Sequence, residues 1–269
     1  MTCACINYGC GRLKRIVVVK ESNKEELFSF LKKDEIWAGY AICDLEGDMF
    51  PKCDWYVAKL NGDIISLCLH FKGLDTTTLI SIGESSGIAK IVEMTNEETL
   101  RFQMPLEHRD IIGKHYGFDN LSLMSRMVVS QETFRPVEGS AIRMNEEDLP
   151  DLERFYSSRQ DAFFRPYMLS SGVYYGAREN GELVSAAGTH VVSPTYGVAC
   201  VGNVFTNPLC RRKGHASVCI GEVVRELLTS CSNVILNVNR KNLAAIRLYE
   251  RLGFREHCKY LEGLGRLQQ

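Results

Sequence analysis

The pattern of hydrophobic and polar positions predicts two similar series of strands and helices along the chain. Alternating apolar residues and β-branched composition indicate strands, and apolar residues three and four positions apart indicate helices. In the first series the predicted strands are 15–20, 55–60, 63–71, 77–82, 100–104 and 121–129. The predicted helices are 23–33, with Ser22 as its cap, and 108–116. A turn at 83–87 leads into one more apolar segment, 88–92, which the pattern favours as a strand.

The second series repeats this order. Its predicted strands are 141–144, 173–178, 183–192, 198–206, 234–238 and 254–261. Its predicted helices are 145–156, 163–169, a helix with apolar periodicity over 216–228, and one that begins at Asn242. Asn242 is a favoured N-cap residue, and Gly253 is well placed to end that helix in a left-handed conformation.

Two dipeptides recur at matching places in the two series. Asn61-Gly62 and Asn180-Gly181 predict tight hairpins, and Gly117-Phe118 corresponds to Gly253-Phe254. We interpret this shared order as an internal duplication, the alternative being an unrelated α+β domain in front of a single catalytic domain. With the linker predicted at 131–139, the domains are a first half, 1–135, and a second half, 136–269.

Composition describes a globular chain of two ordinary domains. Of the 269 residues, 45% are hydrophobic and 24% charged, and the net charge of −1 gives no reason to expect a nucleic-acid or anionic-membrane surface. No apolar run reaches the length of a membrane span, and residues 16–19 are too few for a signal-peptide core. We therefore predict a cytoplasmic protein.

The 11 cysteines do not indicate a disulfide framework. Most stand alone in apolar segments, where cysteine acts as a small hydrophobic residue, and a reducing compartment disfavours disulfides. Cys3, Cys5 and Cys10 cluster near the start, but their spacing matches no common zinc pattern. We predict no metal site.

The segment 204–216 carries the strongest chemical signal in the chain. A strand ends there, Asn207-Pro208 indicates a turn, and Arg211, Arg212 and Lys213 precede Gly214 at the start of a helix. The first backbone N–H groups of a helix have no partner within it, and the helix dipole adds partial positive charge, so such an end suits a diphosphate. The corresponding turn of the first half carries Glu84 and no arginine, which would repel a diphosphate.

Two motifs together resemble the GNAT superfamily of N-acetyltransferases. The family's Arg/Gln-x-x-Gly-x-Gly/Ala loop is matched by Arg211, Gly214 and Ala216, and its Asn-x-x-Ala-x-x-Leu-Tyr-Glu motif is matched from Asn242 to Glu250, followed by Gly253-Phe254. The resemblance implies an α/β fold of two GNAT-like domains. Each would hold a mostly antiparallel mixed sheet flanked by helices, with one splayed pair of parallel strands.

The same resemblance implies a site for acetyl-CoA in the second half. The pantetheine arm would pair with the strand edge at Val204, Phe205 and Thr206, and Asn242 would reach the pantetheine or the reacting end. A backbone N–H near Val204 would polarise the thioester carbonyl. Tyr249 would be the general acid for the leaving sulfur, the alternative being a packed aromatic side chain. The residues expected to hold the pyrophosphate are Arg211, Arg212, Lys213, Gly214, His215, Ala216 and Ser217.

No general base is evident from the sequence. Asn203 falls where some relatives carry a carboxylate but cannot accept a proton usefully, and Glu182 sits in a turn. His190 and His215 are weaker candidates, so a water relay is the default expectation. The predicted activity is acetylation of a primary amine of a small molecule or peptide, by a monomer or homodimer. The alternatives are another acyl or aminoacyl transfer by tandem GNAT domains, and a non-catalytic CoA-binding module.

Overall fold

A computed structural model describes residues 15–158 and 163–268 of the chain. Cys3, Cys5 and Cys10 therefore lie outside the described residues. The described part contains twelve strands and eight α-helices. All twelve strands belong to one mixed sheet.

The first half forms six strands and four helices. Its strands are β1 Ile16–Lys20, β2 Cys53–Leu60, β3 Asp63–Phe71, β4 Thr78–Gly83, β5 Thr99–Pro105 and β6 Tyr116–Val129. Its helices are α1 Lys24–Leu31, α2 Gly39–Cys43, α3 Ser85–Val92 and α4 Arg109–Ile112. The helix α1 is capped by the side chain of Asn23, not by Ser22, because the Asn23 Oδ1 accepts the amides of Glu25 and Glu26.

The second half repeats this order of elements. Its strands are β7 Ile142–Arg143, β8 Tyr174–Glu179, β9 Glu182–Ser193, β10 Val198–Thr206, β11 Asn233–Asn239 and β12 Arg255–Leu267. Its helices are α5 Leu149–Ser157, α6 Pro166–Ser170, α7 His215–Leu227 and α8 Leu243–Arg251. A capping box between Asn145 and Asp148 starts the turn that precedes α5, as the sequence pattern indicates.

Each half contains one parallel strand pair, and both pairs separate part-way along. The pairing of β4 with β5 runs from Thr78–Arg101 to Ile80–Gln103, and that of β10 with β11 from Val198–Asn233 to Val201–Leu236. Beyond these points β10 continues to Thr206 and β11 to Asn239, so the second pair leaves a V-shaped opening. With the antiparallel pairs around them, these strands confirm the predicted fold class.

The last strands of the two halves are exchanged. The sheet order is β1-β2-β3-β4-β5-β12-β6-β11-β10-β9-β8-β7, so β12 lies beside β5 and β6 lies beside β11. The two exchanged strands also pair with each other along their length, from Arg255–Val128 to Leu267–Tyr116. The sequence reasoning did not predict this exchange. The predicted domain boundary between residues 135 and 136 remains a prediction. Strand β6, before this boundary, pairs with β11 and β12, which follow it.

Each exchanged strand buries side chains in the hydrophobic core of the other half. Met127 and Val129 of β6 are buried in the core formed by β10, β11 and α7. Tyr260 of β12 is buried in the core formed by α1, α2 and the first-half strands. Each half therefore completes the other half's interior with its own last strand.

Two predicted segments of the first half differ in the structure. Residues 88–92 belong to α3 and not to a strand, because Ile88, Ile91 and Val92 fall on one buried helical face. Gly87 lets this helix approach the sheet, since a Cβ atom there would lie 2.3 Å from the Ser66 Oγ. The predicted helix 108–116 is also shorter, because Tyr116 already begins β6.

Among the described helices, none combines the length and the apolar character that crossing a bilayer requires. The longest, α7, has 13 residues.

The strand exchange makes a prediction about separated halves. We expect the fragments 1–135 and 136–269 to lack cooperative unfolding when purified apart, because each loses a central strand and exposes buried apolar surface. Circular dichroism melting of each fragment and of their mixture measures this, and the mixture should regain a cooperative transition.

The control is the full chain cleaved after purification at a protease site inserted next to the exposed Glu138. It should keep one transition, since every strand remains present. Two separate fragments that each melt cooperatively near the temperature of the full chain would show that the exchange is not needed for folding.

Candidate active site

Two irregularities shape the edge of the opening between β10 and β11. The pairing of β9 with β10 shifts register between Cys200 and Val201 and again between Gly202 and Phe205. Asn203, inside the second shift, has a φ of 51°, a left-handed conformation that non-glycine residues seldom adopt. A β-bulge re-aims the backbone and side chains locally, and this bulge immediately precedes Val204.

Neighbouring side chains hold the bulge in place. The hydroxyl of Tyr156 donates to the Asn203 carbonyl at 2.5 Å, and the Asn203 amide donates to the Tyr174 hydroxyl at 2.8 Å and to the Met168 sulfur at 3.4 Å. Burial raises the pKa of Tyr174, which therefore stays neutral as a partner. Asn203 is therefore a buried anchor of the bulge.

The basic loop after β10 leads into an open helix end. The Asn207 side chain accepts the amide of Leu209 at 3.0 Å, and Arg212 and Gly214 take positive φ angles of 65° and 88°. Gly214 is the N-cap of α7 and has no side-chain cap hydrogen bond. Apart from its chain neighbours, no described residue comes within 4 Å of a Cβ atom built on Gly214, so the space beside the start of α7 is open.

A carboxylate that the sequence reasoning missed lies beside this loop. The Glu179 carboxylate on β8 is 2.8 Å from the Lys213 Nζ and 2.7 Å from the His215 Nε2. These contacts hold the pKa of Glu179 below its ordinary value. Glu179 pairs with Glu182 in the β8–β9 hairpin, and the linear sequence carries no sign of its contact with the loop.

The helix α8 places its two predicted site residues at the other side of the opening. The Asn242 side chain accepts the amide of Ala245 at 3.2 Å and so caps the helix. Tyr249 is 7% exposed, and its ring stands edge-on to Phe254 with the centroids 5.9 Å apart. Both residues line the same cavity as Val204.

That cavity has a volume of about 370 Å³ and is walled by both halves. Val201, Gly202 and Val204 of β10 and Leu236 to Asn239 of β11 form its edge, so it opens into the V. The ionisable side chains that line it are Tyr40, Asp44, Arg101, Tyr167, His190, Tyr249 and Glu262.

The remaining predicted strand residues face elsewhere. The Phe205 ring packs on Phe155 with the centroids 5.1 Å apart, and the Thr206 hydroxyl lies 2.8 Å from that of Ser185. The structure therefore brings Val204, Asn242 and Tyr249 together in the cavity. It places the loop residues, as a separate group, at the start of α7.

Two carboxyl groups with raised pKa values line the cavity. Asp44 is 5% exposed, and burial raises its pKa to about 8. Burial also raises the pKa of Glu262, whose carboxylate accepts a hydrogen bond from the Tyr260 hydroxyl at 2.9 Å. Sequence reasoning missed both, since neither residue lies in a recognisable motif.

The corresponding opening in the first half is filled by side chains. The Trp37 indole donates to the Ser81 carbonyl at 3.2 Å, and the two His108 ring nitrogens lie 2.9 Å from the Ser81 Oγ and 3.0 Å from the Gly83 carbonyl. The buried Arg126 guanidinium donates to Gln103 at 3.0 Å and lies 4.5 Å from the Trp37 ring. These groups occupy the places that an extended ligand would need.

Part of the second half is similar to a known protein family. Residues 141–254 match the Acetyltransferase (GNAT) family. This GNAT region contains the opening, the basic loop, α7 and α8. Among curated proteins, no significant sequence match is found.

Solved structures share the fold over most of the chain. A Drosophila protein of 12% identity superposes with a TM-score of 0.69, covering 91% of this chain and 98% of its own. A tandem GNAT protein from the clavulanic acid biosynthesis pathway gives 0.56 at 11% identity, covering 94% and 98%. A putative GNAT acetyltransferase from Novosphingobium aromaticivorans gives 0.58 at 18% identity, covering 75% and 89%.

The raised pKa of Asp44 makes a prediction about stability. The folded state keeps the Asp44 proton up to a pH of about 8, whereas the unfolded chain loses it near pH 4. The free energy of unfolding that this carboxyl contributes therefore falls as the pH rises from about 4 to about 8. We expect Asp44→Asn to melt at a higher temperature than the wild type at pH 8.5, and at a similar temperature near pH 4.

The exposed Asp63 in the β2–β3 hairpin offers a matched control. Asp63→Asn removes the same charge without relieving burial, so its melting temperature should follow the wild type at both pH values. An Asp44→Asn effect of equal size at pH 4 and pH 8.5 would contradict the assignment of a raised pKa.

Proposed function

We propose that this protein is an acetyl-CoA-dependent N-acetyltransferase that acts on a primary amine of a small molecule or peptide. The proposal rests on a contrast between the strand openings of the two halves. The strand opening of the second half is unfilled and adjoins an uncapped helix end, whereas that of the first half is filled by Trp37 and His108. One opening in the described chain is therefore suited to a ligand.

The residues around α7 fit the pyrophosphate of CoA. An uncapped helix N-terminus offers several backbone donors and the positive end of the helix dipole. Gly214 allows close approach because no Cβ atom stands in the way, and Arg211 and Arg212 add positive charge. Lys213 and His215 are held by Glu179, so their contribution depends on how far that carboxylate is displaced.

The exposed strand edges fit an extended pantetheine arm. Beyond Val201 and Leu236 the two parallel strands no longer pair with each other, and a linear amide-bearing ligand can bond along such an edge. The arm would pass Val204 and reach the cavity between Asn242 and Tyr249.

Acetyl-CoA supplies an activated acyl thioester, and the protein supplies binding, orientation and proton transfer. Tyr249 lies on the cavity wall, where its hydroxyl would donate a proton to the leaving sulfur. The backbone around the Asn203 bulge would place a donor next to the thioester carbonyl. The acceptor amine would bind in the part of the cavity that the first half closes, beside Tyr40, Asp44 and Arg101.

Calorimetry with acetyl-CoA tests the proposal. The wild type should bind one equivalent. Gly214→Val should weaken binding by about tenfold or more, because its branched side chain fills the approach to the α7 amides and strains a residue with a positive φ. Wild-type protein that binds no acetyl-CoA would refute the proposed function.

Tyr249→Phe separates an enzyme from a binding module in the same experiment. Phenylalanine keeps the packing against Phe254, so acetyl-CoA affinity should hold while turnover over a panel of amines falls by roughly 100-fold. Unchanged turnover would remove Tyr249 as the general acid. Binding without turnover in the wild type would favour a CoA-responsive module.

Glu179 generates a second prediction about binding. Its carboxylate neutralises Lys213 and His215 and would repel a nearby diphosphate, so Glu179→Gln should tighten acetyl-CoA binding by about two- to fivefold at low salt. The difference should shrink as salt rises, because the Debye length falls to about 10 Å at 0.1 M. Weaker binding at low salt would instead mean that Glu179 orients its two partners for the ligand.

A further inference from the structure

His190 occupies a special place in β9, next to the bulge of β10. The register passes from Cys200–Val191 to Val201–Thr189, which leaves His190 as the extra residue of a bulge of its own. Its ring lies against Gly202, since a Cβ atom built there would stand 2.1 Å from the His190 Nε2. The ring thus lies beside the backbone that leads into Asn203 and Val204.

The other ring nitrogen contacts the first half. The His190 Nδ1 is 3.0 Å from the hydroxyl oxygen of Tyr40, which lies on α2. Burial raises the pKa of Tyr40 well above its ordinary value, so the phenol stays neutral. Burial also lowers the pKa of His190 to about 4, against the opposing effect of a hydrogen bond with the Asn203 side chain, so the imidazole is neutral at physiological pH.

We propose that the His190 Nε2 accepts the proton of the attacking amine, and that Tyr40 positions the ring by accepting a hydrogen bond from the Nδ1–H. The proton acceptor and its positioning residue then come from different halves of the chain. This inference rests on the proposed function and gives the first half a direct part in the reaction.

The step balances as an acyl transfer. The amine nitrogen forms a bond to the thioester carbonyl carbon, and the carbon–sulfur bond breaks. The proton lost by the nitrogen passes to the His190 Nε2, and the sulfur receives a proton from the Tyr249 hydroxyl. A neutral imidazole is a weak base, but the nitrogen becomes strongly acidic as the carbon–sulfur bond breaks and the protonated amide forms, and the proton transfer occurs then.

Other titratable groups share the cavity with His190. They are Tyr40 and Asp44 at α2, Arg101 on β5, Tyr167 on α6, Tyr249 on α8 and Glu262 on β12. Glu262 accepts the Tyr260 hydroxyl, and β6 and β11 separate its strand from β10. Asp44 lies one helical turn beyond Tyr40, whose carbonyl accepts its amide at 3.0 Å. His190 alone among them belongs to the strand paired with β10.

His190→Gln tests the proton acceptor. We expect kcat to fall by roughly 100-fold at neutral pH, with acetyl-CoA affinity unchanged by calorimetry. The residual rate should rise about tenfold per pH unit, because hydroxide replaces the lost base, whereas the wild-type kcat should stay level over the same range. The exposed His257 on β12 provides the control, and His257→Gln should match the wild type.

Three results separate the possible explanations. Turnover within about threefold of the wild type in His190→Gln would overturn the inference while leaving the proposed function intact. If the rate of Asp44→Asn rose with hydroxide concentration while the kcat of His190→Gln stayed level with pH, the inference would be overturned in favour of Asp44 as the proton acceptor. Added imidazole should partly restore turnover in His190→Ala, and a failure of rescue in a variant that melts like the wild type would also count against it.

Tyr40→Phe tests the positioning role. The variant keeps the aromatic ring and removes the hydrogen bond, so kcat should fall by about tenfold while KM holds. Nitrogen NMR of the His190 ring gives a readout independent of turnover. The wild type should show a single Nδ1–H tautomer and Tyr40→Phe a mixture, and an unchanged tautomer with unchanged kcat would exclude the role of Tyr40.

Discussion

The exchange of β6 and β12 is the constraint on which the rest of the structure depends. Each strand completes the sheet of the opposite half, and the two pair with each other along their length. A strand in the middle of a sheet cannot leave without exposing two rows of backbone groups and its buried side chains. The relative position of the two halves is thereby fixed by backbone hydrogen bonds as well as by side-chain packing. A cavity walled by both halves can then keep its geometry.

The two strand openings show how similar backbones diverge in chemistry. Both parallel pairs separate after three or four residue pairs. In the first half, Trp37 and His108 satisfy the carbonyls of β4, and Arg126 joins Gln103. In the second half, the β10 bulge lies beside the opening and the space around Gly214 at the start of α7 is open. Side chains thus pair with the backbone carbonyls of β4 in the first opening, whereas a cavity adjoins the second.

Local features of this structure, such as helices, strands, caps and turns, could be predicted from the sequence. Most contacts between distant parts of the chain could not. The repeated order of elements, the Asn242 cap and the basic loop were evident because period, capping and turn chemistry act over a few residues. The fold class was confirmed for this reason. The strand exchange was not evident, because β6 beside β11 satisfies the same hydrophobic pattern as β6 beside β5. Glu179, Asp44 and Tyr40 were missed because only tertiary contacts bring them to the loop and the cavity.

The first half has no open ligand site of its own, but it contributes to the site of the second half. The first half contributes Tyr40, Asp44 and Arg101 to the cavity, and its β6 carries Arg126 into the junction between the halves. The Arg126 guanidinium donates to Asn237 of β11 at 3.0 Å and contacts the rings of Trp37, Tyr40 and Tyr260. A buried guanidinium needs such partners, since an unpaired buried charge is strongly destabilising. Arg126 therefore links Gln103, beside the first opening, to Asn237, which lines the second.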